Sequence, residues 1–198
     1  CSDPENVRRA INSGFTSVMF DGSKMSFEDN VRITAQLAKE AHAKGVFIEG
    51  ELGSVPYSDF GDTTIKWTSP EESRIMQENT DLDWLAVSVG NIHRLVGRKA
   101  PIHFDILHEI QKQCNLPLVI HGSSGISEED IQKLRYEHVG KMNLGTSLRK
   151  IFGDTLRAEM KAKPEEFDRQ KLMKRSVDNV ENATYESRIW MCTYKLDK

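Results

Sequence analysis

Long apolar runs are missing from this 198-residue sequence, which has no window near the ~20 consecutive apolar residues of a membrane-spanning helix. No membrane partner is expected. Cysteine is scarce and scattered: Cys1, Cys114 and Cys192 form neither a CxxC pair nor a disulfide framework, so a reducing cytoplasm is the expected setting. Positive charge is not in excess either, with 27 Lys+Arg against 30 Asp+Glu and a formal net charge of -3, and no nucleic-acid partner is expected. The start, Cys1-Ser2-Asp3-Pro4-Glu5, lacks the basic stretch and apolar run of a secretory signal. It also lacks Met, so the chain is expected to begin inside a longer protein. No low-complexity tract, short-period repeat or linker divides the sequence, and residues 1–198 are expected to form one domain, long enough to bury a core without disulfides.

Short apolar runs of strand length recur at Thr16 to Phe20, Val46 to Ile48, Trp84 to Val89, Leu116 to Ile120 and Lys141 to Leu144, mostly without polar alternation. Strands buried on both faces have this pattern. Helical stretches lie between them. Ser26 opens one, with apolar residues at helical spacing as far as Gly45; Ser69-Pro70-Glu71-Glu72 and Ser127-Glu128-Glu129-Asp130 open two more. The last third, from Ser147, reads as helix with a break at Pro164. Alternation of this kind specifies an α/β fold, either an open doubly wound sheet or a barrel. Asp21, Glu51, His93, His121 and Asn143 each close an apolar run at what would be the carboxyl end of a strand. A (β/α)8 TIM barrel assembles its site from the ends of several strands, whereas an open sheet uses one switch point, so the barrel is expected. Only about five strands are visible, against the eight of a complete barrel.

His93 and His121 sit at successive strand ends, where neighbouring strands can bring both imidazoles to one point suited to zinc. Two histidines are one short of a catalytic zinc set. Glu49 and Glu51, two apart in a strand, point to one face, and paired carboxylates call for a cation, a basic partner or a shared proton. Asp21 can serve the same cavity or act as a turn acceptor before Gly22-Ser23. His121-Gly122-Ser123-Ser124-Gly125 and Asn143-Leu144-Gly145-Thr146-Ser147 are small-residue turns after the last two strands, the usual phosphate-binding loops of barrels. A phosphorylated substrate follows as the expectation.

At these residues the sequence resembles the class II, zinc-dependent fructose-bisphosphate and tagatose-bisphosphate aldolases. The stretches that carry the resemblance are Ala10 to Ser23, Glu49-Gly50-Glu51-Leu52-Gly53, the strand ending in His93, the His121 to Gly125 turn and Lys141 to Thr146, all in family order. The resemblance implies a lyase that reversibly cleaves a ketose bisphosphate to dihydroxyacetone phosphate and an aldehyde. In the family zinc, held by three histidines, polarises the ketone carbonyl and stabilises the enediolate. His93 and His121 match the second and third of those ligands, and Asp21 and Glu51 match carboxylates of an alternative metal position. Gly122, Ser124, Asn143 and Thr146 match phosphate-binding positions, with Asn143 near the enediolate and Glu51 beside it as a catalytic group. A monovalent cation, K+ or Na+, often supports that phosphate, and members are commonly dimers or tetramers. Ile189, Trp190 and Met191 are candidates for a contact between subunits.

Several departures stand out. The family's first zinc-binding His and its catalytic Asp belong to a Leu-Asp-His segment just upstream of the stretch matched by Cys1, so this chain corresponds to strands 4 to 8 and the C-terminal helices. Asp59 or Asp62 would have to replace an acidic loop residue, Arg94 stands where a Gly is usual, and Ser147 stands where an acidic residue is usual. Missing strands would leave open sheet edges, and a missing general base would forfeit about 10²–10⁴-fold in rate. Little or no aldolase activity is therefore expected of the 198 residues by themselves. A non-catalytic remnant with an oligomerising or regulatory role, and a barrel enzyme of another reaction type, are the alternatives.

Overall fold

A computed structural model of the chain describes residues 1–56, 66–95 and 100–191, the last four as backbone only. Five strands, β1 (Ser17–Met19), β2 (Phe47–Leu52), β3 (Trp84–Val87), β4 (Leu118–Ile120) and β5 (Val139–Met142), form one sheet in sequence order. Every pairing is parallel. A doubly wound sheet reverses its strand order at a switch point, and this sheet never does. It is the arc of a TIM barrel.

Seven α-helices accompany the strands: α1 (Pro4–Asn12), α2 (Phe27–His42), α3 (Pro70–Thr80), α4 (Phe104–Gln113), α5 (Glu128–Leu134), α6 (Thr146–Ala162) and α7 (Arg169–Met191). Their starts follow local capping chemistry. Asp3 accepts from the Glu5 N–H, and Ser26, Ser69 and Ser127 accept from the N–H three residues on, satisfying donors that a helix leaves unpaired. Pro at the first position of α1 and α3 gives up only an N–H that has no helical partner. Gly at 145 caps α6 without a side-chain bond.

Helix stripes then close over the outer face of the sheet. Val7 and Ile11 of α1, Leu37, Ala38 and Ala41 of α2, Met76 of α3, and Leu107 and Ile110 of α4 join Ile48, Leu85, Val87, Leu118 and Ile120 in one buried core. Truncating a residue such as the fully buried Leu37 to Ala costs about 2–5 kcal/mol. Gly50 keeps α3's loop close to β2, because a Cβ there would lie 2.6 Å from Leu82 Cδ1.

Strand ends differ from the apolar runs, for identifiable reasons. β2 runs on past Ile48 to Leu52, through two buried glutamates. β3 stops at Val87 because the next two N–H groups are taken by side chains: Ser88 N–H donates to Thr68 Oγ1 (2.8 Å) and Val89 N–H to Asn91 Oδ1 (2.9 Å). β4 begins two residues late because the Asn115 and Leu116 N–H groups donate to Gln77 Oε1, at 2.6 and 3.1 Å. β5 starts earlier, at Val139, with an irregular register opposite Leu118 and Val119. The break around Pro164 is present, between α6 and α7. Among the described residues no helix is long and apolar enough to cross a membrane.

Candidate active site

The register sets Glu49 beside Trp84 and Glu51 beside Ala86, and places Val119 beside Lys141, so their side chains share the inner face. Polar groups brace the strand ends that carry the site. Asn30 of α2 is buried, donates to the Glu51 carbonyl (2.9 Å) and accepts from Thr34 Oγ1 (3.1 Å). Gly22 makes room for it, since a Cβ at 22 would lie 2.0 Å from Asn30 Oδ1. Thr68 Oγ1 donates to the Leu52 carbonyl (2.7 Å). Asn91, fully buried, accepts from Val89 N–H and donates to the carbonyls of His121 (2.9 Å) and Val87 (3.3 Å). One amide thus fixes the backbone that leads to His93 against the backbone of His121.

The two imidazoles come together, with ring centroids 5.7 Å apart and planes inclined by 67°. His121 is only 6% exposed, and its Nε2 lies 2.8 Å from Oε1 of Glu49, itself 1% exposed. The other Glu49 oxygen accepts from Lys141 Nζ. An ionised carboxylate can only accept, so His121 Nε2 carries the proton, and in the neutral ring Nδ1 keeps its lone pair. That Nδ1 lies 3.9 Å from Glu51 Oε2. Burial is the largest influence on Glu49 and pushes its carboxyl up, but the hydrogen bonds from His121 and Lys141 outweigh it and hold the group below its ordinary value. Glu51 has no such donors: burial, then the negative charges of Asp21 and Glu49, push it up to about 7 against the opposing pull of His121. For His93, burial first and then the positive neighbours His121 and Arg94 push the ring down to about 4, so it is neutral at physiological pH.

Asp21 is a turn acceptor that also lies close enough for its charge to reach Glu51 and His93 of the imidazole pair. Its Oδ1 accepts from Ser23 N–H (3.0 Å) and Ser23 Oγ (2.6 Å) as a turn acceptor, while its charge acts on Glu51 and His93. The sequence-identified metal candidates His93, His121, Asp21 and Glu51 are therefore neighbours. Among the described residues, however, no three His, Cys, Asp or Glu side chains converge to hold a metal ion. The donor chemistry still suits a divalent cation. Two imidazoles, His93 and His121, lie beside the buried carboxylate of Glu51, and Nε2 of His121 is tied to a second carboxylate, the arrangement that orients metal-ligating histidines.

Gly122, Ser124, Asn143 and Thr146 line one cavity of about 320 Å³, together with His93, Arg94 and Arg149. The cavity adjoins the imidazole pair through His93. Ser123 Oγ donates to the Asn143 carbonyl (2.8 Å), and Asn143 N–H donates to the Ile120 carbonyl (2.9 Å), which locks the two small-residue turns together. Asp59 and Asp62 lie outside the described residues, as do the side chains of Ile189, Trp190 and Met191. The sequence reading missed Lys141, Asn91 and Arg149. Lys141 was visible in principle, two residues before Asn143 and hence on the same strand face.

Known proteins resemble this chain over most of its length. A family model described as class-II fructose-bisphosphate aldolase matches residues 1–193. A sulfofructosephosphate aldolase of Alkalicoccus urumqiensis is 34% identical over 172 residues, 84% of this chain and 60% of that protein. A fructose-bisphosphate aldolase of Geobacillus stearothermophilus is 34% identical over 171 residues, 85% of this chain and 60% of its own. The crystal structure of the YdjI aldolase from Escherichia coli K12 superposes with a TM-score of 0.78 at 27% identity, covering 94% of this chain and 64% of that one. The chain thus spans less than two thirds of the length of each of these three relatives. With the strand order, the His93–His121 pair and the matched family model in agreement, the chain belongs to the class II fructose-bisphosphate aldolase family.

Proposed function

We propose that residues 1–198 form a single partial barrel, strands 4 to 8 of the family order plus the C-terminal helices, from a metal-dependent aldolase acting on a ketose bisphosphate. The observation that carries the reading is the His93–His121 pair beside Glu51, backed by the buried Glu49 with its Lys141 partner and opening on a small-residue cavity. The substrate class is a phosphorylated ketose, fructose or tagatose 1,6-bisphosphate, cleaved to dihydroxyacetone phosphate and an aldehyde. A zinc ion, held by His93 and His121 with Glu51 or Asp21 as the alternative carboxylate, would supply Lewis-acid polarisation of the substrate carbonyl.

The chain's own residues do the rest. Glu49 and Lys141 hold His121 in one tautomer, so its Nδ1 needs no reorganisation to act as a donor. Glu51, at about 7, gives or takes a proton near neutral pH, which suits a group close to the reacting carbons. Gly122, Ser124, Asn143 and Thr146 grip the phosphate and fix the triose against the imidazoles. A homo-oligomer, dimer or tetramer, is proposed in addition, supported by the exposed Phe167, Met173, Val177 and Tyr185 on and just before α7. The family's usual cytoplasmic setting is carried over in the same way.

The test compares the 198-residue chain with the same chain fused behind a family segment that supplies Leu-Asp-His and three βα units. Bound zinc and cleavage of both bisphosphates are measured. Activity and stoichiometric zinc in the fused protein, with little or none in the chain alone, are expected. Cleavage by the chain alone at the rate of an intact enzyme would refute the partial-site reading, and zinc and cleavage absent from both would favour a non-catalytic remnant.

A further inference from the structure

We propose that Trp84 is a positioning residue of the active site: its indole face holds the Lys141 ammonium against Glu49, and Glu49 in turn fixes the His121 imidazole. The inference rests on the reading of the His93–His121 pair given above and adds the layer of side chains beneath it.

Strand register builds that layer. Glu49 is the register partner of Trp84, Phe47 lies two residues before Glu49 on the same strand, and Lys141 is the partner of Val119. Side chains two apart along a strand share a face, so Phe47, Glu49, Trp84 and Lys141 all stand on the inner face of the sheet. Glu51 and His121 follow on that face, two residues further along their strands than Glu49 and Val119.

Contacts join the layer from end to end. The Phe47 and Trp84 rings stack, with centroids 5.8 Å apart and planes inclined by 26°. Lys141 Nζ lies 5.7 Å from the centroid of the Trp84 ring and donates to Glu49 Oε2. Glu49 Oε1 lies 2.8 Å from His121 Nε2. An aromatic pair is thus linked to the imidazole through one ammonium and one carboxylate.

Each link supplies what the next one lacks. Glu49 is buried and has two oxygens to satisfy, of which His121 occupies one. The other depends on Lys141, whose side chain is 38% exposed. An exposed ammonium on a flexible stem is strongly hydrated, so water competes with Glu49 for it. The indole face opposes that pull, because a ring quadrupole attracts a cation within about 6 Å and indole does so best. Phe47 stacks on the same indole and limits its rotation. Were Lys141 to swing into solvent, the freed oxygen of Glu49 would compete with its twin for the His121 N–H, and the ring would lose its fixed direction. Trp84 therefore acts through Lys141 and Glu49.

The experiment follows the His121 Nε2–H proton by NMR in the metal-free full chain, isotope-labelled at histidine nitrogen, together with the Lys141 side-chain protons. In the unaltered chain the N–H should exchange slowly with water, and the Lys141 methylenes should carry an upfield ring-current shift. Trp84→Leu should remove that shift and speed the exchange about threefold to tenfold, the factor that a partly desolvated cation–π contact supports. Trp84→Phe, whose face attracts a cation more weakly, should change both signals by less; should the leucine variant not fold, it makes the same comparison on its own. Lys141→Met should speed the exchange at least as much, and a Trp84 substitution added to it should change nothing further. Exchange that is unaltered by the Trp84 substitutions, or sped equally with and without Lys141, overturns the proposal. Zinc absent from the fused protein of the function test would remove the metal reading and leave this link standing, since the exchange is measured without metal.

Discussion

Asn91→Ala removes an amide that is fully buried and bonded three times. The Val89 N–H and the His121 carbonyl lose their partners outright, at about 1–3 kcal/mol each for a buried unsatisfied group. The longer 3.3 Å bond to Val87 adds little. The loss should thus total about 3–4 kcal/mol, seen as a fall of about 6–16 °C in Tm for a chain of this size. Urea titration at constant m would show it as a lower midpoint. Asn91→Asp is the sharper probe. Its carboxylate still accepts from Val89 N–H but, when ionised, faces two carbonyl oxygens with no proton to give. Its folded pKa should therefore rise above the unfolded value, and the variant should lose stability as pH climbs from about 4 through that raised value. At about pH 8 it should be no more stable than Asn91→Ala and should regain ground on acidification. Asn91→Ala within about 1 kcal/mol of the unaltered chain, or Asn91→Asp with no pH dependence, would refute the account.

His42 lies 3.0 Å from Asp83 and 3.3 Å from Asp81, and the hydrogen bond to Asp83 raises its pKa against a smaller opposing effect of burial. The stability it contributes is complete below the ring's ordinary 6.5 and lost as pH rises through the raised value, so the advantage over His42→Gln in urea should shrink from about pH 6 to about pH 9. Gly22→Ala drives a methyl group to 2.0 Å from Asn30 Oδ1 and should cost about 2–3 kcal/mol by displacing the amide that braces Glu51. Gly153→Ala, inside α6 with the flexible Arg157 guanidinium as its nearest described neighbour, should instead gain up to about 1 kcal/mol in the same urea titration.

The helix starts were legible because capping is local chemistry: Ser26, Ser69 and Ser127 each bond an N–H three residues away. Strand ends were less so, since Gln77, Thr68 and Asn91 set them through side-chain bonds that apolar runs do not record. Much the same holds for the site. Asp21, Glu51, His93, His121 and Asn143 were readable as polar residues closing apolar runs. Lys141 acts on Glu49 from 92 positions away, and Asn91 on His121 from 30, so neither role exists until the sheet has formed. Arg149 reads in sequence as an ordinary basic helix residue, and only the packing of α6 beside the cavity gives it a place on the cavity wall.

From β2 onward, each described strand pairs with the strand before it in sequence. During synthesis, β2 would leave the ribosome with β1 already available as a template, and the same holds for every later strand. Pairing between consecutive βα units confines each strand contact to neighbouring units, which permits stepwise assembly. The order in which the chain is made is thus also an order in which its sheet can grow.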